Sequence, residues 1–322
     1  MSITVVIPSR NEASNVARVV QMITSQTRQP TEVVVADGMS TDGSRELWQA
    51  AKIPGVPLKL LDNRRKSVPA GLNLALSAAS GELVARMDTH AHYAPNYLEK
   101  VATLLETRAD VQAVGGAMAT AGRGPWGLAI AAVLRRPFGL GGARHRVNGT
   151  EGPIQHVFSG CYRRTALAEA GGWDERLLAN EDFEADLRVA QSGGTIWLNP
   201  EAKSTWYVRE SPRALAKQMW RYGYYKALTL LMHPRSLRSR QLAPPALVLG
   251  MCAAGAAGRR PLLAVGGVYL SFAMLSGAAA ARTDGASPSR GALVTPIVHL
   301  SWGAGLLAGL VRFGGSAAIG RR

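Results

Sequence analysis

Short β-branched runs alternating with helical patterns, from residue 3 to residue 114, constrain this chain more than any other feature. ITVVI at 3–7, EVVVA at 32–36, LKLL at 58–61, ELVARM at 82–87 and VQAV at 111–114 read as buried strands. Between them, residues 13–25, 44–51, 68–79 and 95–106 carry helical spacing, with Val16, Val19, Val20 and Ile23 on one face of the first and Pro69 in the first turn of the third, where a missing N–H costs nothing. Such alternation implies an α/β fold, a mostly parallel sheet with helices on both faces. The Gly- and Arg-rich stretch 115–153 resists assignment beyond a helix near 126–134 and a mobile loop around 139–152. Regular patterns return with a strand at 157–161, helices at 164–170 and 182–191, and a strand at 195–198.

The composition changes at Leu242. Beyond it the chain is mostly Ala, Gly, Leu and Val with few charges. Residues 261–281 and 291–311 are each apolar and long enough to span a bilayer. Residues 242–258 are shorter and carry Pro244 and Pro245. If only the two longer segments span, Arg235, Arg238, Arg240, Arg259, Arg260, Arg312, Arg321 and Arg322 all lie on one side and only Arg282 and Arg290 on the other. That arrangement obeys the positive-inside tendency better than three spans; it gives a hairpin plus an interfacial or re-entrant segment. The competing reading is a buried helical subdomain. Residues 212–232 are expected to form a basic, aromatic, amphipathic helix suited to a membrane interface. The expected organisation is a catalytic domain over 1–210, an interface helix over 211–240 and an apolar membrane-associated region over 241–322.

The formal net charge is +15, which calls for an anionic partner. Between Lys203 and Arg240 there are nine Lys or Arg and one acidic residue, Glu210. Placed just before the apolar region, this stretch suits anionic lipid; no zinc-finger spacing or RNA-binding aromatic signature points to nucleic acid. Cys161 and Cys252 are the two cysteines. They make no disulfide framework, so a reducing compartment fits. Met1-Ser2-Ile3-Thr4 runs straight into strand-like sequence with no signal-peptide pattern, from which a cytoplasmic catalytic part on the cell (inner) membrane is expected.

Ligands of open parallel sheets bind past the carboxyl ends of the strands. There the chain places Pro8-Ser9-Arg10-Asn11-Glu12, then Asp37-Gly38-Met39-Ser40-Thr41-Asp42-Gly43, then Asp88-Thr89-His90. No G-x-G-x-x-G or Walker A lysine motif follows the first strand, so a dinucleotide fold or P-loop is disfavoured. Asp88 and His90, at i and i+2 on extended chain, would point the same way. A carboxylate with an imidazole suits Mn²⁺; Mg²⁺ would rely on Asp88 and phosphate oxygens. The competing reading is a capping aspartate beside a surface histidine. Asn180-Glu181-Asp182-Phe183-Glu184 opens a helix, either as simple capping carboxylates or as a general base for an acceptor hydroxyl.

The order PSRNE, ADGMSTDG, MDTH, FSGCYRR, GGWDE, NEDFE and QMWRYG, over roughly residues 3–223, resembles the family 2 inverting glycosyltransferases. The Asp-x-His variant and the short apolar C-terminus are similar to the succinoglycan-type exopolysaccharide glucosyltransferases. The resemblance implies a GT-A fold and a UDP-hexose donor, glucose by analogy, with a lipid-linked acceptor. It also implies roles. Pro8, Arg10 and Glu12 would border the nucleoside, and Asp37 would hydrogen-bond uracil or ribose. Arg64 or Lys66 would reach base or phosphate, or be surface charge. Asp88 would bind the diphosphate through the metal; the family usually has Asp where this chain has His90. Asp182 would be the base, with Glu181 the alternative. Gly160 and Trp173 would line the acceptor side, Trp173 equally fitting a core role. Gln218-x-x-Arg221 resembles the Q-x-x-R-W segment that helps hold acceptor and diphosphate in processive synthases, and would equally suit a lipid-facing helix. A processive synthase, a sugar nucleotidyltransferase and a non-enzymatic membrane scaffold are the competing functions.

Overall fold

The computed structural model describes residues 1–140, 146 and 149–315. Its elements begin β1 (Ile3–Ser9), α1 (Ala13–Thr24), β2 (Glu32–Asp37), α2 (Ser44–Ala50), β3 (Leu58–Asp62), α3 (Val68–Ala78), β4 (Leu83–Arg86), β5 (Ala91–Tyr93), α4 (Tyr97–Thr107) and β6 (Val111–Ala121). They continue with α5 (Gly124–Leu134), α6 (Pro137–Leu140), β7 (Gly152–Pro153), β8 (Cys161–Arg163), α7 (Arg164–Glu169), α8 (Glu181–Gln191) and β9 (Thr195–Tyr207). Four long helices follow: α9 (Pro212–Met232), α10 (Ala243–Ala257), α11 (Arg259–Thr283) and α12 (Pro288–Gly314).

Among the described residues two compact units result, one of residues 1–119, 146 and 149–206, the other of 120–140 and 207–315. Residues 120–140, expected within the first domain, cluster with the C-terminal helices.

The sheet of the first unit has the order β3-β2-β1-β4-β8-β6-β9-β5, with β7 also on β9. β1 pairs in parallel with β2 and with β4, and β2 with β3. The second half is antiparallel: β8 against β4 and β6, β5 and β7 against β9. The sheet is therefore mixed. The parallel half is the one whose strand–helix alternation is visible in the sequence. The antiparallel half is built from β9, far longer than the expected 195–198, and from β5, β7 and β8, each two or three residues long.

Because side chains alternate along a strand, the buried runs feed two cores. Val5, Ile7, Val33, Val35, Leu83 and Ala85 join Val16, Val19 and Ile23 of α1 and Leu98, Val101 and Leu105 of α4 on one face. Val6, Val34, Ala36 and Val84 join Leu72 and Ala75 of α3, Leu167 of α7 and Ala185 and Val189 of α8 on the other. Double-sided burial explains why the sequence runs are continuously apolar rather than alternating. Chain order reverses between β1 and β4, so their carboxyl ends diverge and open a crevice there.

In the second unit, α12 is the helix the others pack on, and glycines set the contacts. A Cβ on Gly305 or Gly309 would meet the backbone carbonyls of Trp220 and Tyr224 in α9, and one on Gly223 of α9 would meet the Trp302 carbonyl. Gly277 of α11 and Gly291 of α12 stand in the same relation, and Gly303 lies against Pro244 of α10. Small residues that let helix backbones approach closely are a device of helix packing in membranes. α11 and α12 are long and apolar enough to cross a bilayer, and α11 leaves Leu263, Val268 and Leu275 at least 61% exposed.

Candidate active site

The loops after β1 and β2 are stitched together by their own polar groups. Asn11 N–H donates to Ser40 Oγ, Thr41 N–H to Asn11 Oδ1, Ala13 N–H to Asp42 and Glu12 N–H to Ser44 Oγ, all at 2.7–3.0 Å. Asn11 and Met39 hold left-handed backbone, φ 55° and 57°, a local strain that this mutual bonding offsets. Asp37 is fully buried and accepts from Ser40 N–H at 3.0 Å and Ser40 Oγ at 2.6 Å. Each of its oxygens is met by a donor of its own loop. The reason is proximity: a serine three residues on captures the carboxylate as an Asx-type turn.

At the carboxyl ends of β1 and β4 lies a crevice of about 130 Å³. Pro8, Arg10 and Glu12 line it from the first loop, Gly38 from the second, Lys66 and Ser67 from the segment before α3, and Arg86, Asp88 and His90 from the end of β4. Six residues named from sequence thus share one cleft. Arg64 does not line it.

Residues 88–91 form a turn, closed by Ala91 N–H donating to the Asp88 carbonyl at 3.1 Å. The chain here is not extended, so the expectation that Asp88 and His90 point alike from a strand is overturned; β4 ends at Arg86 and the turn into β5 begins at once. Arg18 of α1 clamps this turn, donating to the carbonyls of Ala91, at 2.8 Å, and Thr89. Tyr93 Oη accepts the Asp88 N–H at 3.1 Å.

The centre of the site is Arg86. Its guanidinium donates to Asp88 through Nε at 2.8 Å and Nη2 at 3.2 Å, to Glu181 through Nη1 at 3.1 Å, and to Asp182. Burial works against this cation, but Asp182, Asp88 and Glu181 overcome the penalty and hold it firmly charged. Burial likewise opposes ionisation of Asp88, yet Arg86 and then His90 hold its carboxyl below the usual range. Asp182 goes the other way. Burial raises it, Arg86 offsets part of this, and Glu181, Asp88 and Asp186 add to the rise. A carboxylate pushed up in this way is a better proton acceptor near neutral pH. The N-terminus of α8 delivers the Glu181–Asp182 pair, and its preceding residue, Asn180, has left-handed φ of 65°. Behind it, Asp186 is buried and accepts from His156 Nδ1, Val157 N–H and Tyr162 Oη at 2.8–3.0 Å.

One guanidinium faces three carboxylates, leaving a surplus of negative charge that suits a cation. Among the described residues no group of three His, Cys, Asp or Glu could hold a metal ion by itself. Asp88 and His90 on one turn make an oxygen–nitrogen pair, so a divalent ion fits here only with further oxygen ligands from a substrate diphosphate. Both Asp88 oxygens accept from Arg86, but each carboxylate oxygen keeps a second acceptor site.

Trp173 is 1% exposed and stacks edge-on against Tyr162, ring centres 6.1 Å apart, inside the second core, in keeping with the core role that fitted it equally. Gly160 is needed because a Cβ would strike Val157 and Tyr162, and its carbonyl accepts the Arg86 N–H at 3.1 Å. It supports the site from behind. Gln218 and Arg221 lie on α9 in the second unit, where Gln218 Nε2 donates to Tyr222 Oη at 3.2 Å. Of the expected mobile loop, residues 141–145 and 147–148 lie outside the described residues.

Arg86 and Arg18 escaped sequence reasoning. A signal for Arg86 was present: a charge ending the otherwise apolar run LVAR, two positions before Asp88. Arg18 carries no signal, because a polar residue on an amphipathic helix reads as solvated surface.

The Glycosyl transferase family 2 model matches residues 4–171. The succinoglycan biosynthesis protein ExoA of Rhizobium meliloti is 32% identical over 247 residues, covering 76% of this chain and 74% of its own length. The putative glycosyltransferase EpsE of Bacillus subtilis is 33% identical over 246 residues, 73% of this chain and 83% of its own. Among solved structures, the mannosyltransferase PcManGT of Pyrobaculum calidifontis, in complex with GDP-Man and Mn²⁺, superposes with a TM-score of 0.63 at 20% identity over 93% of this chain and 87% of its own. S. aureus TarS in complex with UDP gives 0.50 at 16% identity over 98% and 92%. These two likenesses bear out the GT-A fold. With the family match spanning β1 to the end of α7 and the ExoA-type similarity reaching further, the chain belongs to the family 2 glycosyltransferases.

Proposed function

We propose that this glycosyltransferase moves a hexose from a UDP-sugar to a lipid-linked saccharide, with inversion, in the synthesis of an exopolysaccharide or other surface glycan. The observation that carries the reading is the gathering of Asp88 and Asp182 on Arg86, although ninety-four residues separate them. A diphosphate-holding carboxylate and a proton-accepting one thereby stand on opposite sides of a single guanidinium.

In this reading Pro8, Arg10, Glu12 and Lys66 border the nucleotide, and Asp37 acts indirectly by fixing the Ser40 loop. Asp182 takes the proton of the acceptor hydroxyl as its oxygen attacks the anomeric carbon; Glu181, sharing Arg86, is the alternative base. Asp88 and His90 are the residues that would hold Mn²⁺ or Mg²⁺. The ion, when bound, would neutralise charge growing on the departing diphosphate. Arg86 keeps both carboxylates in place before substrate arrives, the preorganisation that makes charged groups effective in a desolvated site.

The exopolysaccharide assignment is supported by the similarity to ExoA. The UDP donor rests on family analogy, and the lipid-linked acceptor on the two bilayer-length helices. Placement at the inner membrane, with the catalytic unit cytoplasmic, α9 at the interface and α11–α12 as a hairpin, rests on their length and on the arginine distribution.

The test is a donor screen by nucleotide release, with the full chain in detergent, a lipid extract as acceptor source, and Mn²⁺ and Mg²⁺ compared. UDP-glucose with lipid extract should give turnover, and Asp182→Asn should lower kcat by about 10²–10⁴-fold. Single-sugar addition, rather than a ladder of products, is expected on a gel. Equal turnover by Asp182→Asn, or transfer to soluble acceptors alone, would overturn the reading.

A further inference from the structure

The second unit carries a half-open pocket of about 630 Å³, the size range of small-molecule sites. Its walls come from α6, α9, α10, α11 and α12, and are mostly apolar: Phe138, Met219, Leu247, Phe272, Val298 and Trp302. A few polar groups are placed within it. Tyr269 Oη lies 3.2 Å from His299 Nδ1, and His299 Nε2 lies 2.7 Å from the Phe138 carbonyl. This rung ties α11 and α12 to the short α6 segment and keeps one wall in position. Arg240 and Gln241, in the turn leading into α10, contribute the charged and polar edge.

We infer that this pocket holds the hydrocarbon chain of the lipid-linked acceptor, whose phosphate is met by Arg240. The inference rests on the proposed lipid-linked acceptor and goes further by assigning the chain a site. Charge complementarity chooses the occupant. From residue 211 to residue 283 there is no Asp or Glu, while Arg235, Arg238 and Arg240 cluster before α10. Burial, and then Arg238, press on the Arg240 charge, so an anion beside it relieves a repulsion already present in the fold. An ordinary membrane lipid needs only the outer flank of α11, where Leu263, Val268 and Leu275 are exposed. A space walled by five helices and braced by a Tyr–His–carbonyl rung suits a ligand held in one place. A histidine inside a bilayer-length helix is itself costly without a task, and here it shapes the wall of this space.

The test uses the full chain in nanodiscs with an isoprenoid phosphate bearing a photoactivatable group. Labelling is expected on peptides containing Met219 or Trp302, suppressed by unlabelled isoprenoid phosphate and not by phosphatidylglycerol. In parallel, Leu247→Trp, which narrows the cavity, should raise KM for the lipid acceptor by about tenfold while KM for the nucleotide sugar changes less than about twofold. Arg240→Gln should weaken labelling by a similar factor. Labelling confined to Leu263, Val268 and Leu275, or competed equally by phosphatidylglycerol, would overturn the inference. If the wild-type protein glycosylates a lipid-linked acceptor and Leu247→Trp leaves its KM unmoved, the cavity assignment fails and the proposed function stands. Use of soluble acceptors alone by the wild-type protein would take both down.

Discussion

Arg86 Nη1 donates to Glu181 at 3.1 Å, joining the end of β4 to the first turn of α8 inside the protein. The same nitrogen also meets Asp182, so the charge state of the acidic pair depends on one cation. Asp182 is held up by burial and neighbouring carboxylates, and Arg86 is the group that pulls it back. Removing the cation raises the Asp182 pKa further. A base must be deprotonated to work, so activity disappears on the acid side of that pKa. Arg86→Lys is therefore expected to move the acid limb of kcat/KM to higher pH, and Arg86→Met to move it further and lower the plateau by about 10²-fold or more. An acid limb that stays in place in both variants would contradict the arrangement.

His90 stands on the same turn as Asp88 and lines the same crevice. An imidazole favours Mn²⁺, whereas a second carboxylate suits the oxygen preference of Mg²⁺. His90→Asp should lower the ratio of Mn²⁺- to Mg²⁺-supported activity, by about tenfold if the imidazole binds the ion directly. Metal titrations of wild type and variant give the ratio; no change would exclude His90 as a ligand.

Glu32, nearly buried at the start of β2, accepts from Thr4 Oγ at 2.8 Å, Ser80 N–H at 2.6 Å, Ser80 Oγ at 2.7 Å and Lys59 Nζ at 2.6 Å. Burial would raise its pKa; these donors overcome that and bring it to about 2. A depressed carboxylate contributes stability that is present above its unfolded pKa and lost as pH falls toward its folded one. Glu32→Gln should destabilise the protein by about 1–3 kcal/mol at neutral pH, with the difference from wild type shrinking between about pH 4.5 and about pH 2. Denaturation midpoints across that range decide it. A pH-independent difference would refute the assignment.

Gly309 sits where α12 meets the Tyr224 carbonyl of α9. A leucine there must push the helices apart, at about 1–3 kcal/mol or more, whereas Gly314, with nothing nearby, should accept one within about 0.5 kcal/mol. Thermal unfolding in detergent compares the two. Equal tolerance at both positions would mean that α9 and α12 do not pack in this way.

The parallel half of the sheet was legible because β1, β2 and β4 are buried on both faces and a helix follows each of β1, β2 and β3. The antiparallel half was not. β8 is three residues long, and most of β9 carries polar residues between its apolar ones, so neither gives a strong periodic signal. The site was legible as polar clusters past successive strands, since strand ends are where an open sheet leaves side chains free to meet a ligand. The partners of these residues were not legible. Asp37, Gly160 and Trp173 are each met by groups whose nearness depends on the fold: Ser40, Val157 and Tyr162.

The sequence by itself determined the family, the α/β framework, the bilayer-length helices and the carboxylates worth watching, because periodicity and local motifs are properties of neighbouring residues. The tertiary structure alone decided that Arg86 would be their common partner, that residues 88–91 would turn rather than extend, and that residues 137–140 would help wall a cavity among the C-terminal helices. Each of these depends on segments many residues apart being brought within a few ångströms, and the energy of a buried charge or a packed helix is set by that distance and by the water it excludes, neither of which is written in the order of residues.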